Sequence, residues 1–217
     1  HRDLHSFPTR RSSDLQGEKL PAKTVVVTFD DGFLDTYTQA YPILAKFGYP
    51  AIVFVISSLV GKSNVWMEEN CGKQRKICNW DQLKELSLNG FEIGSHTMTH
   101  KKLDEIPVEI ADEEIFLSKK TIEKKLGITV DFFAYPFGKF NETVKESVIR
   151  AGYKGACSTK SGFNNQSQDC YRLRRIDVFG SDRLSDFKNK LAFGTNRPSL
   201  KLRVTYYIKR LLQRLKL

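Results

Sequence analysis

The 217-residue sequence lacks several features that mark particular classes of protein. No run approaches the roughly 18–20 apolar residues that a membrane-spanning helix needs. The four cysteines include no Cys-x-x-Cys pair, which argues against a zinc ribbon. The composition, 40% hydrophobic and 28% charged, is typical of one globular domain with a full core.

Acidic residues are absent from residues 201–217, which supply +6 of the net charge of +10. The rest of the chain shows no basic stripe with interleaved aromatic residues, so nucleic acid is not an expected partner. The basic segment could make a peripheral contact with a membrane or an anionic polymer, and an ordinary solvated helix is the simpler alternative.

Three segments are expected along the chain. Residues 1–15 show no periodicity and resemble a translated sequencing adapter, so we expect a non-native or disordered leader. Residues 16–199 form the folded domain, and residues 200–217 form the basic helix or tail. The sequence gives no signal for an oligomeric state.

Cysteine spacing permits two local disulfides. Cys71 and Cys78 bracket a short polar loop, and Cys157 and Cys170 bracket a segment rich in Ser, Asn and Gln. Two such bridges would suit an oxidising compartment, outside the cytoplasm or at the cell envelope. Four free thiols, in a cytoplasmic protein, are the alternative.

Apolar strands alternate with helical patterns along the chain. Buried strands are expected over residues 24–29 and 51–56, and further strands over residues 91–94, 132–135, 153–157 and 173–178. Helices are expected over residues 33–47, 80–89, 107–126, 141–151 and 185–193. This alternation predicts an α/β fold with a parallel sheet, which when closed is a β/α barrel with its site at the carboxyl ends of the strands. The longest helix has these apolar positions: Ile110, Ile115, Leu117, Ile122 and Leu126.

Two carboxylates directly follow the first expected strand, within residues 28–32 (TFDDG). Neighbouring like charges raise each other's pKa, so the pair is costly unless a cation holds one carboxylate and leaves the other as a base. A hairpin turn is the alternative, because Asp-Gly is a common turn signal.

Two of the four histidines, His96 and His100, follow another short apolar segment. Imidazoles four residues apart can face one point on a helical turn or in a tight loop. Two histidines and one carboxylate form a common catalytic metal set with positions open for water and substrate. Two ordinary surface or capping histidines are the alternative.

Residues 28–32 (TFDDG), 96–100 (HTMTH) and 133–138 (FAYPFG) resemble the first three motifs of the polysaccharide deacetylase family, the NodB-homology or carbohydrate esterase 4 type. The resemblance covers roughly residues 17–195. It implies a distorted β/α barrel with fewer units than the eight of a full barrel. It also implies metal-dependent removal of N-acetyl groups from a polymer that contains N-acetylglucosamine.

By this resemblance, Asp31, His96 and His100 hold a divalent metal. Zn²⁺ is the expected ion, and Co²⁺, Ni²⁺ and Mn²⁺ are alternatives. Asp30 serves as general base, and the backbone N–H of Phe137 donates to the oxyanion. Four side chains are expected at the sugar groove, with core or rim packing or a structural ion pair as alternatives: Trp66, Tyr135, Pro136 and Arg175.

The sequence departs from the family pattern at two points. Many members pair the base with an Arg of the third motif, where this chain has Ala134, and Arg174 or Arg175 could supply that charge instead. Many members also use a late Leu-x-His to protonate the leaving amine, and no histidine follows His100. We therefore hypothesise that Asp30 both accepts and returns the proton. The alternatives are that water is the donor, that the C-terminus is truncated, or that the enzyme is slow.

Two other functions remain open. One is a deacylase of a different amide, such as that of a lipid-linked sugar. The other is a catalytically lapsed module that binds glycans. The complete set of two aspartates and two histidines favours an enzyme, whereas the missing late histidine favours the lapsed module.

Overall fold

A computed structural model describes residues 24–64, 74–165 and 167–196, with the single positions 200, 204 and 208. Its centre is one parallel sheet, whose five strands lie side by side in chain order. The strands are β1 (Val27–Phe29), β2 (Ala51–Val55), β3 (Phe91–Ser95), β4 (Phe132–Ala134) and β5 (Gly155–Cys157). The sheet curls into a half-barrel, which confirms the predicted α/β fold of the distorted-barrel type.

Helices connect the strands, and two of them show clear capping residues. A π-helical segment, Thr36–Ala40, leads into α1 (Tyr41–Lys46), and α2 spans Trp80–Leu88, α3 Val108–Leu126, α4 Glu142–Arg150 and α5 Leu184–Phe193. The Asn79 side chain accepts the N–H of Gln82 and so caps α2. α3 ends at Gly127, whose left-handed conformation suits glycine.

Strand β2 is buried on both faces, and this explains its unbroken apolar sequence. Ala51, Val53 and Val55 pack in a cluster with residues of the helices. Ile52 and Phe54 belong to a separate cluster inside the half-barrel, together with Phe132, Ala134, Cys157 and Leu173. Because side chains alternate along a strand, β2, β4 and β5 each supply residues to both clusters.

Three sequence predictions about the sheet and helices are wrong in detail. β1 begins at Val27, opposite Ala51 of β2, and lies at the half-buried edge of the sheet, so Val25 before it is 62% exposed. Residues 173–178 form no strand beyond one bridge, between Leu173 and Cys157. Ile110 and Leu117 of α3 are exposed, because the helix buries the face that holds Ala111, Glu114, Ile115, Ser118 and Ile122.

The predicted disulfides are also wrong. Cys78, Cys157 and Cys170 are thiols rather than disulfide partners, and Cys71 lies outside the described residues. Cys157 is buried in the interior of the half-barrel, where its side chain packs with apolar residues. The segment between Cys157 and Cys170 therefore does not bring these two sulfur atoms into a bond.

The two expected terminal segments fall mostly outside the described residues. Residues 1–23 are not described, and of the basic segment only positions 200, 204 and 208 are, each helical and exposed. None of the helices in the described part of the chain combines the length and apolar character that a membrane span requires.

Candidate active site

Three loops at the carboxyl ends of the strands carry the predicted site residues. Asp30 and Asp31 follow β1, His96 and His100 follow β3, and Phe137 follows β4. The carboxyl ends of parallel strands share one edge of the sheet, so loops far apart in sequence meet there. The structure thus brings together the two aspartates and two histidines that the sequence indicates.

The backbone of these loops is strained at four positions. Among the described residues other than glycine, only Asp31, Thr97, His100 and Phe137 have positive φ, between 57° and 70°. A left-handed conformation costs such residues roughly 1–2 kcal/mol each. Strain of this kind concentrates where surrounding contacts fix a functional geometry.

Asp31, His96 and His100 could hold a divalent metal ion. Oδ1 of Asp31 lies 3.5 Å from Nε2 of His96 and 3.4 Å from Nε2 of His100. One ligand atom from each of the three residues lies within 4.8 Å of the others. Two atoms bound tetrahedrally to one Zn²⁺ at about 2.0–2.1 Å are about 3.4 Å apart, so the spacing fits a shared ion better than direct hydrogen bonds.

The two imidazoles present lone pairs to this position. Nδ1 of His96 donates a hydrogen bond to the carbonyl oxygen of Ala134 at 2.7 Å, so Nε2 is left as the acceptor. Burial, with the nearby His96, lowers the pKa of His100 to about 3, so that imidazole is neutral near pH 7. Neutral imidazoles are the form that binds metals.

The Asp31 carboxylate has the environment of a metal ligand. Its Oδ1 is buried without a hydrogen-bond partner among the described residues. Burial raises the pKa of Asp31, and the charge of Asp30 adds to that effect while His96 opposes it. Burial of a charged oxygen is unfavourable, and a bound cation stabilises it. The residues present therefore fit a divalent ion.

Asp30 is paired with Arg175 rather than with the histidines. Nη1 and Nη2 of Arg175 donate to the two carboxylate oxygens at 2.6 and 2.7 Å. Burial would raise the pKa of Asp30, but the charge and hydrogen bonds of Arg175 outweigh it and lower that pKa. The lowered pKa keeps the Asp30 carboxylate ionised near pH 7, and its side chain keeps 30% of its surface exposed.

Arg175, which the sequence predicts at the sugar groove, is held by several groups of the protein itself. Its guanidinium also donates to the carbonyl oxygen of Ser158 and to the hydroxyl of Thr28, and its side chain is 14% exposed. The segment that carries it bridges β5 through Leu173 and reaches β1 through Thr28 and Asp30. It therefore spans the two open edges of the half-barrel, and Arg174 takes no part in this pairing.

The other residues expected at the sugar groove differ in position. Tyr135 is fully buried, where its ring stacks on Phe140 at 4.3 Å and its hydroxyl donates to the carbonyl of Tyr171, so it is a core residue. Pro136 is also buried, as the alternative of core packing predicts. Trp66 lies outside the described residues. The Phe137 ring is 47% exposed and lies 4.6 Å from the His100 ring.

Sequence reasoning missed two polar residues of α3 that contact the histidine loop. Glu114 accepts hydrogen bonds from Met98 and Thr99, and Ser118 donates to the carbonyl of Thr97. Both side chains are buried in a helix whose other inward residues are mostly apolar. An acidic residue within an apolar helical stripe was the signal that could have found Glu114, because burial of a lone carboxylate is costly.

A buried carboxylate and two imidazoles, beside a second carboxylate at the carboxyl ends of a curled parallel sheet, define a candidate metal-dependent hydrolase. The family model described as polysaccharide deacetylase matches residues 17–156. The chain belongs to this family.

Similarity to individual proteins agrees with this assignment. The chain is 31% identical over 195 residues to YxkH of Bacillus subtilis (strain 168), covering 89% of this chain and 63% of YxkH. It is 28% identical over 167 residues to the poly-β-1,6-N-acetyl-D-glucosamine N-deacetylase of Staphylococcus aureus (strain MRSA252), covering 73% of this chain and 55% of that protein. The chain thus spans less than two thirds of either relative.

Solved structures give the same fold. IcaB from Ammonifex degensii superposes with a TM-score of 0.73 at 26% identity, covering 86% of this chain and 80% of that one. The Streptococcus pyogenes deacetylase PplD, in complex with acetate, superposes with a TM-score of 0.72 at 28% identity. The match covers 85% of this chain and 77% of PplD.

Proposed function

We propose that this protein is a metal-dependent N-deacetylase of a polysaccharide that contains N-acetylglucosamine. The observation that carries the proposal is the convergence of Asp31, His96 and His100 on one point, beside the Asp30–Arg175 pair. Relatives that are named as N-deacetylases of β-1,6-linked N-acetylglucosamine support this class of substrate.

Asp31, His96 and His100 would hold the metal ion, and Zn²⁺ suits their two nitrogen atoms and one oxygen atom. When bound there, such an ion lowers the pKa of water and polarises the acetyl carbonyl. The hydrogen bond from His96 to the carbonyl oxygen of Ala134 orients that imidazole, as outer partners of metal ligands do.

Asp30 accepts the proton of the attacking water in this proposal. Arg175 keeps the carboxylate ionised and fixes both of its oxygens, so the base is oriented before substrate arrives. The backbone N–H of Phe137 donates to the oxyanion that forms from the acetyl carbonyl. In this proposal Asp30 then passes its proton to the leaving amine nitrogen.

The exposed ring of Phe137 is the candidate wall of the sugar groove, because it adjoins His100 and faces solvent over about half its surface. A polysaccharide substrate places the protein outside the cytoplasm or at the cell envelope in this proposal. Cellular fractionation, with detection of the protein in the cytoplasmic and envelope fractions, tests that location.

The experiment measures acetate released from N-acetylglucosamine oligomers with β-1,6 and β-1,4 linkages. The protein is stripped with a chelator, assayed, and assayed again after Zn²⁺, Co²⁺, Ni²⁺ or Mn²⁺ is restored. We expect the stripped protein to be inactive and Zn²⁺ to restore release, with the preferred linkage given by the ratio of kcat/KM values.

Two other results would replace the proposal. Metal bound at one ion per chain without acetate release from either oligomer would indicate a different acyl substrate or a glycan-binding role. Acetate release that survives complete removal of metal would contradict the assignment of Asp31, His96 and His100.

A further inference from the structure

The loop between the two histidines is held by one side chain of α3. Oε2 of Glu114 accepts the backbone N–H groups of Met98 and Thr99 at 2.9 and 2.8 Å. Oε1 of the same carboxylate accepts the hydroxyl of Thr99. Glu114 thus satisfies successive donors of the segment that lies between His96 and His100.

Other contacts hold the carbonyl groups of the same loop. The Ser118 hydroxyl, one turn along α3 from Glu114, donates to the carbonyl of Thr97 at 3.0 Å. Backbone N–H groups of Ser57 and Ser58, which follow β2, donate to the carbonyls of Thr97 and Met98, each at 3.1 Å. The loop is therefore fixed on one side by α3 and on the other by the end of β2.

The Glu114 carboxylate has little other purpose in the fold. Only 5% of the residue is exposed, and the ion pair that it makes within the described part of the chain is a long contact of 3.9 Å with Lys101, whose side chain is 49% exposed. A buried carboxylate is unfavourable unless hydrogen bonds compensate for its lost hydration. The compensating bonds described for Glu114 all go to the histidine loop.

The loop needs this support because its backbone is strained at both ends. Thr97 and His100 have φ of 69° and 67°, a conformation that residues with a side chain rarely adopt. The Thr97 hydroxyl accepts the N–H of His100 at 3.0 Å and stabilises the second strained residue. Without Glu114, the loop can relax toward ordinary φ values, which would turn the His100 imidazole away from His96.

We propose that Glu114 is a positioning residue for the metal site: it fixes the His96–His100 loop so that both imidazoles converge with Asp31. This inference rests on the proposed function of that site. Residues that orient metal ligands typically contribute about 10–100-fold to metal affinity. Glu114 contacts neither the metal nor the reacting atoms, so its effect should appear in metal affinity and ligand geometry.

The test compares Glu114→Ala and Glu114→Gln with the matched variant Glu113→Ala. Glu113 is the exposed neighbour of Glu114 on α3 and carries the same charge. Zn²⁺ affinity is measured by competition with a chromophoric chelator, and ligand geometry by the visible absorption spectrum of the Co²⁺-loaded protein. Circular dichroism and thermal unfolding establish that each variant is folded.

We expect Glu114→Ala to bind Zn²⁺ about 10–100-fold more weakly and to change the Co²⁺ spectrum. Glu114→Gln keeps one oxygen acceptor and a nearly identical shape, so its loss should be smaller and its fold retained. Glu113→Ala should match the wild type in both measurements.

The inference is overturned if the folded Glu114→Ala and Glu114→Gln proteins keep wild-type Zn²⁺ affinity and Co²⁺ spectrum, even when their thermal stability falls. That result would leave Glu114 a structural residue and the deacetylase proposal intact. Failure of the wild-type protein itself to bind Zn²⁺ or Co²⁺ would instead refute the proposed metal site.

Discussion

The guanidinium of Arg175 forms two hydrogen bonds with the carboxylate of Asp30, at 2.6 and 2.7 Å, across 145 residues of sequence. Paired bonds of this type are stronger and more directional than single contacts. Many family members supply this charge from the third motif, where the present chain has Ala134. Here Arg175, in the segment that follows β5, supplies the positive charge and fixes the carboxylate from another direction.

Replacement of Arg175 by Gln should slow turnover and shift its pH dependence. Arg175 lowers the pKa of Asp30, so its removal raises that pKa and the base becomes protonated at a higher pH. We expect kcat to fall by about 10²-fold, the lower end of a general base's contribution, and the acidic limb of the kcat profile to move to higher pH.

Arg174→Gln is the matched control, because the hydrogen bonds described for Arg174 are those of its backbone with Asn164. It should keep a wild-type profile. An Arg175→Gln enzyme with unchanged kcat and an unchanged acidic limb would show that the ion pair serves the fold rather than the base.

Substitutions of the adjacent aspartates should separate chemistry from metal binding. Asp30→Asn should abolish acetate release but leave Zn²⁺ bound, because Asp30 pairs with Arg175 rather than with the histidines. Asp31→Asn should lose Zn²⁺ as well, since Asp31 supplies the carboxylate oxygen beside both Nε2 atoms. Metal content by atomic spectroscopy, measured alongside kcat, distinguishes the two. Activity in Asp30→Asn would exclude that residue as the base.

Gly138, directly after Phe137, should tolerate no side chain. A Cβ at this position would lie 2.6 Å from the backbone nitrogen of Thr159, and its φ is +68°. Gly127 has the same φ, and a Cβ added there would meet nothing within 4 Å, so it is a matched control for backbone strain alone. We expect Gly138→Ala to lower the free energy of unfolding by about 2–4 kcal/mol and Gly127→Ala by about 1 kcal/mol.

Urea denaturation monitored by circular dichroism measures both changes. Equal losses in the two variants would mean that the contact with Thr159 adds nothing beyond the strained φ. Because Gly138 follows Phe137, the Gly138→Ala variant should also lose more kcat/KM than its loss of folded protein explains.

The buried thiol of Cys78 should make the protein less stable at alkaline pH. Burial raises the pKa of Cys78 from 9.0 to about 11, so between these values the unfolded chain loses a proton that the folded chain keeps. The contribution of the Cys78 thiol to the free energy of unfolding is therefore complete below pH 9 and is lost as the pH rises toward 11. We expect a loss of about 1.3 kcal/mol between pH 8 and pH 10.

Urea unfolding of the wild type and of Cys78→Ala at both pH values isolates this loss, because other titrating groups are common to the two proteins. Thiol labelling gives a second readout: Cys78 is fully buried and should react only after denaturation, whereas the partly exposed Cys170 should react in the native protein. Equal pH slopes in the two proteins would contradict the raised pKa.

The fold was largely predictable because its strands are short, apolar and followed by helices. The unbroken sequence of β2 indicated burial on both faces, and the structure shows its residues divided between two clusters. The strand predictions failed where apolar residues are not buried in the sheet. Val25 continues an apolar run beyond the register of β2, and residues 173–178 cross the open edges of the half-barrel instead of pairing as a strand.

Asp30, Asp31, His96 and His100 could be chosen as candidate site residues from the sequence alone, because motifs at strand ends meet at one edge of a parallel sheet. The fold was needed to show that Arg175 rather than Arg174 pairs with Asp30, that Tyr135 belongs to the core, and that Glu114 supports the histidine loop. Periodicity reports local chemistry, whereas partners across long sequence separations depend on how the sheet curls and on which helix face packs against it.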